Sequence, residues 1–534
     1  MPAQPGPAGA GADALQFSDA ASFQVWRARL PLANATQCHA ALAVQARALA
    51  RATLPAAALL ELLELLRETA VAIQAGYAKK YRGSPVPLDD DDRAAWDSVV
   101  GVWSSLAAGY DALIDAMAGA APEMAAHAAL ICQRAVRYTG LAMSEHNRVY
   151  RKIPGVLWQQ LHRLYRFAEN AGATEAVVHD ELDRATAATS CAAAYLHALL
   201  MQLAQPDALN AQQMDAVDRW LDAWETLASL SPAAPPAGAI PPIAVDLASD
   251  KGAGLASEMT GTDVRHVNLE NMSRALRQAA AGLRQGQTPA QLGLGTLARE
   301  ACEKLLMLLH VQWCAAGTGR VDERSAGGII VTILPNLAAI HYNLTGRAFR
   351  QPGGEITARE RQDIDLLGYV SEATDRAMVS QRSAAVETWV IVNKSASGFL
   401  GMCRDLGSAT RIGHNQLLGL RNPSNKNLYL GTVQRLIVDE AGGIWVGLRL
   451  ITANPQAAAA RNSAARGPEA VRYDRALLLP GDPARKVPAS VLLQPGWYAA
   501  NRQIDLQTDK RQKIQLQSLL DKGPNFDRAT FTAA

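Results

Sequence analysis

At about Thr318 the hydrophobic period of this 534-residue chain changes. Before that point apolar residues recur at helical spacing. After it they come in short runs broken by Gly, Asn and Pro. A period near 3.6 belongs to helix faces and a period of 2 to strands, so one element type cannot carry both halves. The chain therefore reads as α+β, with an N-terminal all-α bundle or solenoid followed by antiparallel β structure.

Within the first half, Leu59, Leu60, Leu63 and Leu66 fall on one face of an amphipathic helix. The run Asp89–Asp92 precedes Trp96, Val99 and Val100, which places acids at a helix N-terminus where the dipole favours them. Pro154 opens another helix, carrying Leu157, Leu161 and Leu164. This reading gives six to eight helices between residues 15 and 230, after a disordered tail over residues 1–14 rich in Ala, Gly and Pro. Ser231 to Asp250 holds five prolines and no clear period, and residues 231–262 read as a linker. Helical patterning resumes over 263–316.

The β-rich part divides at about residue 454. Strands are expected at Gly328–Leu334, Val386–Val392, Gly398–Met402, Leu428–Val438 and Ile444–Leu450, with a helix at Asn336–Leu344 and a polar insertion over 347–387. Residues 317–454 form the first β domain in this reading. Residues 455–534 form a small, modestly basic second one, with strands at Ala476–Leu479, Ser490–Leu493, Ile504–Leu506 and Ile514–Leu516. Half of all residues are hydrophobic (49%), enough to build real cores and exclude a disordered chain.

Charge and motif content narrow the function. Lys+Arg is 52 against Asp+Glu 50, a net charge of +2, and the basic C-terminal clusters have no interleaved aromatics, so nucleic acid is not the expected partner. No apolar stretch is long enough to span a membrane. The six cysteines are scattered without a CxxC pair, which fits reduced thiols in the cytosol. The histidines form no HExxH or comparable ligand set, so no metal or cofactor is expected. Walker A and G-x-S-x-G motifs are lacking too, and no catalytic residue is assigned.

One ordered set of residues does carry chemistry. Arg320 and Arg324 lie four apart just before a strand; Asn393, Ser395 and Gly398 follow another; Gly431 with Val433 and Gly447 with Leu450 frame a strand–turn–strand unit whose turn is Asp439–Gly443. These residues resemble the PilZ domain, a six-stranded antiparallel barrel that receives the bacterial second messenger cyclic di-GMP. The resemblance covers about 318–453, a quarter of the chain. It implies that Arg320 and Arg324 hold phosphates and a guanine, and that Asn393, Ser395 and Gly398 form the facing turn. Arginine forks suit both tasks, because they bind phosphate oxygens and the guanine O6/N7 edge bidentately. The long stretch between Arg324 and Asn393 makes 347–387 an insertion, and leaves Arg376 or Arg382 as alternative contacts.

The expected function is that of a cytoplasmic cyclic di-GMP effector that binds and does not catalyse. Its helical domain would engage a protein partner in motility, secretion or biofilm control. The alternative is a helical scaffold with a degenerate barrel that binds no nucleotide.

Overall fold

The structure, a computed structural model, describes residues 14–180, 182, 188–235, 240, 242–315, 325–352, 362, 366, 387–395, 398–403, 411–422, 428–451, 454–465, 472–481 and 487–534. Arg320, Arg324, Arg376, Arg382, residues 1–13 and most of the 347–387 insertion lie outside that set. The chain folds as two compact units, one of residues 1–84 and 88–319, the other of residues 85–87 and 320–534.

The first unit is built on eight helices: α1 (Ala20–Ala28), α2 (Ala35–Ala50), α3 (Ala56–Tyr77), α4 (Asp90–Met117), α5 (Ala128–Arg148), α6 (Gly155–Asn170), α7 (Cys191–Leu203) and α8 (Ala211–Ala223). The acidic run does begin a helix. Asp89 is the N-cap of α4, its carboxylate accepting from the Asp92 N–H at 2.8 Å, with three more acids in the first turn. Pro154 is the N-cap of α6. The buried stripe of α4 (Trp96, Val99, Trp103, Leu106 and Tyr110) packs against α5.

A short hairpin, β1 (Val178–His179) with β2 (Ala188–Thr189), follows α6. Beyond α8 come β3 (Ser229–Ser231), β4 (Ile243–Asp246), β5 (Gly254–Leu255) and β6 (Val264–Asn268), which form one antiparallel sheet in the order β3-β6-β4-β5. This corrects the linker expected over 231–262. The prolines precede a short apolar run, Ile243, Ala244 and Val245, which is fully buried and pairs with β6. Two helices, α9 (Glu270–Arg284) and α10 (Arg299–Cys314), close the unit.

The second unit holds two closed six-stranded antiparallel barrels, with strand orders β10-β11-β12-β9-β8-β7 and β13-β14-β15-β18-β17-β16. The first comprises β7 (Ser325–Leu334), β8 (Glu387–Lys394), β9 (Gly398–Cys403), β10 (Leu417–Arg421), β11 (Leu428–Val438) and β12 (Ile444–Ile451), with α11 (Leu337–Thr345) after β7. The second comprises β13 (Gln456–Asn462), β14 (Asp474–Leu479), β15 (Ser490–Leu493), β16 (Gln503–Gln507), β17 (Arg511–Gly523) and β18 (Phe526–Ala533). Thus the C-terminal β segment closes on itself rather than completing the first barrel. One apolar cluster joins them: Ile340 of α11, Leu334, Leu417, Leu430 and Ile451 pack with Leu477, Leu479, Leu492 and Phe526.

Candidate functional site

The motif turn stands at one end of the first barrel. Asn393 and Lys394 end β8, and β9, antiparallel to it, begins at Gly398. Ser395 closes that reversal: its N–H donates to the Gly398 carbonyl at 2.8 Å, and its hydroxyl accepts from the Gly398 N–H at 3.2 Å. A serine used this way makes a local turn in place of ladder bonds. Gly398 is required by close approach, not by a left-handed backbone. A Cβ there would lie 2.4 Å from the Leu448 carbonyl oxygen of β12.

The other motif residues meet across the β11–β12 ladder. Gly431 opposes Leu450 and Val433 opposes Leu448, while Gly447 opposes Arg435. Asp439 closes the connecting turn, accepting from the Gly443 N–H at 2.7 Å and from the Trp445 indole at 3.0 Å. Asn393 opposes Ala326 of β7 and Leu400 of β9. Ser325, the residue after Arg324 in the sequence, opposes Lys394. The register therefore brings the start of β7 to the same barrel end as the Asn393–Gly398 turn. The structure does not describe the two arginines themselves.

That end also carries two rings that the sequence did not single out. Phe399 of β9 opposes Leu448 and Lys394, and Tyr429 of β11 lies two residues before Gly431. Parity puts both rings on the lumen side. Phe399 shares a face with Gly401, where a Cβ would touch the buried Trp389 ring at 3.2 Å. Tyr429 shares a face with Gly431 and Val433, which oppose the inward Leu450 and Leu448. The rings meet edge to face over β12, with centroids 6.1 Å apart and planes at 90°.

A second candidate lies in the first unit, a polar cleft of about 290 Å³ lined by residues of α3, α4, α5 and α8. Its charges pair with one another. Arg67 and Arg134 hold Asp180; Arg82 holds Glu145 at 3.2 Å; Arg148 holds Asp215 and Asp218; Arg137 stands 3.4 Å from Asp222. His197 completes the chain of contacts, 2.8 Å from Asp218 and 3.3 Å from Asp222. Burial works against its protonation, but the hydrogen bonds to those two carboxylates outweigh it and raise its pKa. The same network holds the Asp218 carboxyl well below the usual range against its own burial. The lining has five arginines and five carboxylates, so these side chains carry no net positive charge to draw an anion.

Cysteine chemistry has no support among the described residues. Burial pushes the Cys132 thiol up to about 12 and those of Cys302 and Cys314 up to about 11. Among the described residues there is no cluster of His, Cys, Asp and Glu able to hold a metal ion, and no helix long and apolar enough to cross a membrane.

Comparison with known proteins bears on the parts either side of the first barrel. Residues 21–236 match the N-terminal domain of the cyclic-di-GMP receptor FimW. Residues 458–534 match the FimW C-terminal β-barrel domain. The FimW stretches correspond to α1–α8 with the start of the small sheet, and to nearly all of the second barrel. The first barrel lies between them. Along the whole chain, the cyclic-di-GMP receptor FimW of Pseudomonas aeruginosa is 24% identical over 544 aligned positions, covering 94% of this chain and 88% of the relative. No solved structure matches.

Proposed function

We propose that this chain is a cyclic di-GMP receptor that holds the nucleotide at the end of its first barrel, where β8 turns into β9. The barrel then works as a PilZ-like module. Arg320 and Arg324 supply forks for the phosphates and a guanine edge, and the turn of Asn393, Ser395 and Gly398 faces them. The observation that carries this reading is the register of β7 on β8. With Ser325 opposite Lys394 and Ala326 opposite Asn393, the chain enters the barrel from the Arg320–Arg324 side at the motif turn. Similarity to FimW over both flanking parts supports the same ligand. The balanced charges of the polar cleft favour the barrel over the helices as the place for a dianionic ligand.

Binding alone carries the signal, and no reaction is needed. The helical unit is the part that engages a protein partner in motility, secretion or biofilm control, in the cytoplasm. The second reading is a helical scaffold with a degenerate barrel. It is favoured by the Ser395 hydroxyl, which serves its own turn.

Isothermal titration of cyclic di-GMP into the full chain separates the two, with an Arg320→Ala/Arg324→Ala double variant beside it. Micromolar or tighter binding that the variant loses supports the receptor reading and its arginines. Binding that survives moves the contact to Arg376 or Arg382. Absence of heat and of any thermal shift overturns the receptor reading and leaves the scaffold.

A further inference from the structure

The lumen of the first barrel is filled along most of its length. Trp389, Ile391, Val433, Val446 and Leu448 all point inward and are buried. At the end holding the motif turn two aromatic rings join the aliphatic filling of Leu420 and Leu450. Phe399 is half-buried there, and Tyr429 is 38% exposed, one of few large apolar side chains of this barrel left open to solvent. An exposed tyrosine on the inward face of a strand is unusual, because the inward face is where burial is available. Phe399, reached across β12, meets Tyr429 edge to face. Lys394, exposed and directly opposite Phe399 in the β8–β9 ladder, places a cation at the same barrel end.

We propose that Phe399 and Tyr429 form a stacking surface for one base of the nucleotide, with Tyr429 presenting the face and Phe399 bracing it. The inference rests on the receptor reading and names residues that the motif does not contain. Chemistry and placement agree. A cyclic dinucleotide presents a flat purine next to a phosphodiester. The barrel mouth presents an aromatic pair, with a lysine and the strand that follows Arg324 at the same end. Base–aromatic stacking needs no hydrogen-bond readout, so it adds affinity for any purine, while arginines and backbone groups choose guanine.

The test is a titration of the full chain with cyclic di-GMP, using wild type, Tyr429→Phe, Tyr429→Ala and Phe399→Leu, each with its thermal midpoint. Tyr429→Ala is expected to weaken binding by about five-fold or more, the scale of losing one stacked base. Tyr429→Phe, which keeps the ring, should stay within about two-fold of wild type. Phe399→Leu keeps an apolar side chain but removes the brace, and should fall between them. A parallel titration with cyclic di-AMP checks the class of effect, since loss of a stack should leave the ratio of the two affinities unchanged. If wild type binds, the Arg320/Arg324 double variant does not, and Tyr429→Ala binds like wild type, the stacking proposal is overturned while the receptor reading stands. If wild type itself does not bind, the receptor reading fails and takes this proposal with it. Should Tyr429→Ala lower the thermal midpoint markedly, the comparison of Tyr429→Phe with Phe399→Leu decides. Equal affinities for those two overturn the proposal.

Discussion

His197 is a residue whose protonation the fold itself has arranged. It is buried on α7 between two carboxylates of α8, Asp218 and Asp222. Desolvation alone would depress its pKa, yet the two acceptor contacts win and raise it above the ordinary value near 6.5. The sign of the linkage follows. A group whose folded pKa exceeds its unfolded pKa contributes stability in full below the unfolded value and loses it as pH rises through the folded value. The nearby positive charge of Arg137 opposes protonation, and Arg148 reaches the same Asp218. Neither reverses the direction. A His197→Gln variant is therefore expected to be destabilised relative to wild type by more at about pH 6 than at about pH 9. Urea unfolding of both proteins at the two pH values measures that gap. A gap that widens toward alkaline pH would show that the imidazole is held neutral.

At the scale of elements, the approach of β9 to β12 controls the first barrel. With the Leu448 carbonyl 2.4 Å from where a Gly398 Cβ would stand, and backbone rather than a flexible side chain in the way, a methyl group must push the strands apart. Gly398→Ala is expected to cost about 1–3 kcal/mol, the range of overpacking in a tight core. Ser395→Ala removes the hydroxyl's turn bonds with Gly398 and should cost about 1 kcal/mol. Chemical denaturation ranks the two, and the reverse order would refute the close-approach account.

These elements also mark how far the sequence could be read. Helix starts were legible because capping is local: Asp89 at α4, Pro154 at α6 and Asn336 at α11 all sit where the residues place them. Strands with β-branched or leucine runs, such as β11 and β12, were legible to within a residue. Strand β13 was not, because Gln456–Asn462 is mostly alanine. Those small side chains become a strand only through pairing with β14 and β16. The site divides the same way. A turn of adjacent residues can be recognised in sequence, whereas the Phe399–Tyr429 pair exists only once β12 lies between β9 and β11. The polar cleft draws on residues from Arg67 to Asp222, and no local pattern announces it.

At the largest scale, the second unit is two barrels tied by a shared apolar core and by charge. Arg449 of β12 stands opposite Gly398 in the ladder, so it lies directly beside the motif turn. Its guanidinium reaches Asp521 of β17 at 2.6 Å, and the other oxygen of Asp521 accepts from Arg528 of β18 at 3.2 Å. The two arginines differ in burial, and that decides what each is worth. Arg449 is about half exposed, so its ion pair is screened by water and should contribute no more than about 1 kcal/mol. Arg528 is nearly buried, and among the described residues its other side-chain partner is the Ser490 hydroxyl at 3.0 Å. Removing Asp521 leaves that guanidinium uncompensated, for which breaking a buried pair sets a cost of about 3 kcal/mol. Asp521→Ala is thus expected to destabilise the second unit by about 3 kcal/mol, and Arg449→Ala by about 1 kcal/mol or less. Because the barrels share Leu430, Ile451, Leu477 and Phe526 in one core, the loss should register in both. Hydrogen exchange resolved by peptide provides the check: reduced protection in β11 and β12 as well as in β17 and β18 is the expected outcome. A loss confined to β17 and β18 would mean that the barrels open independently.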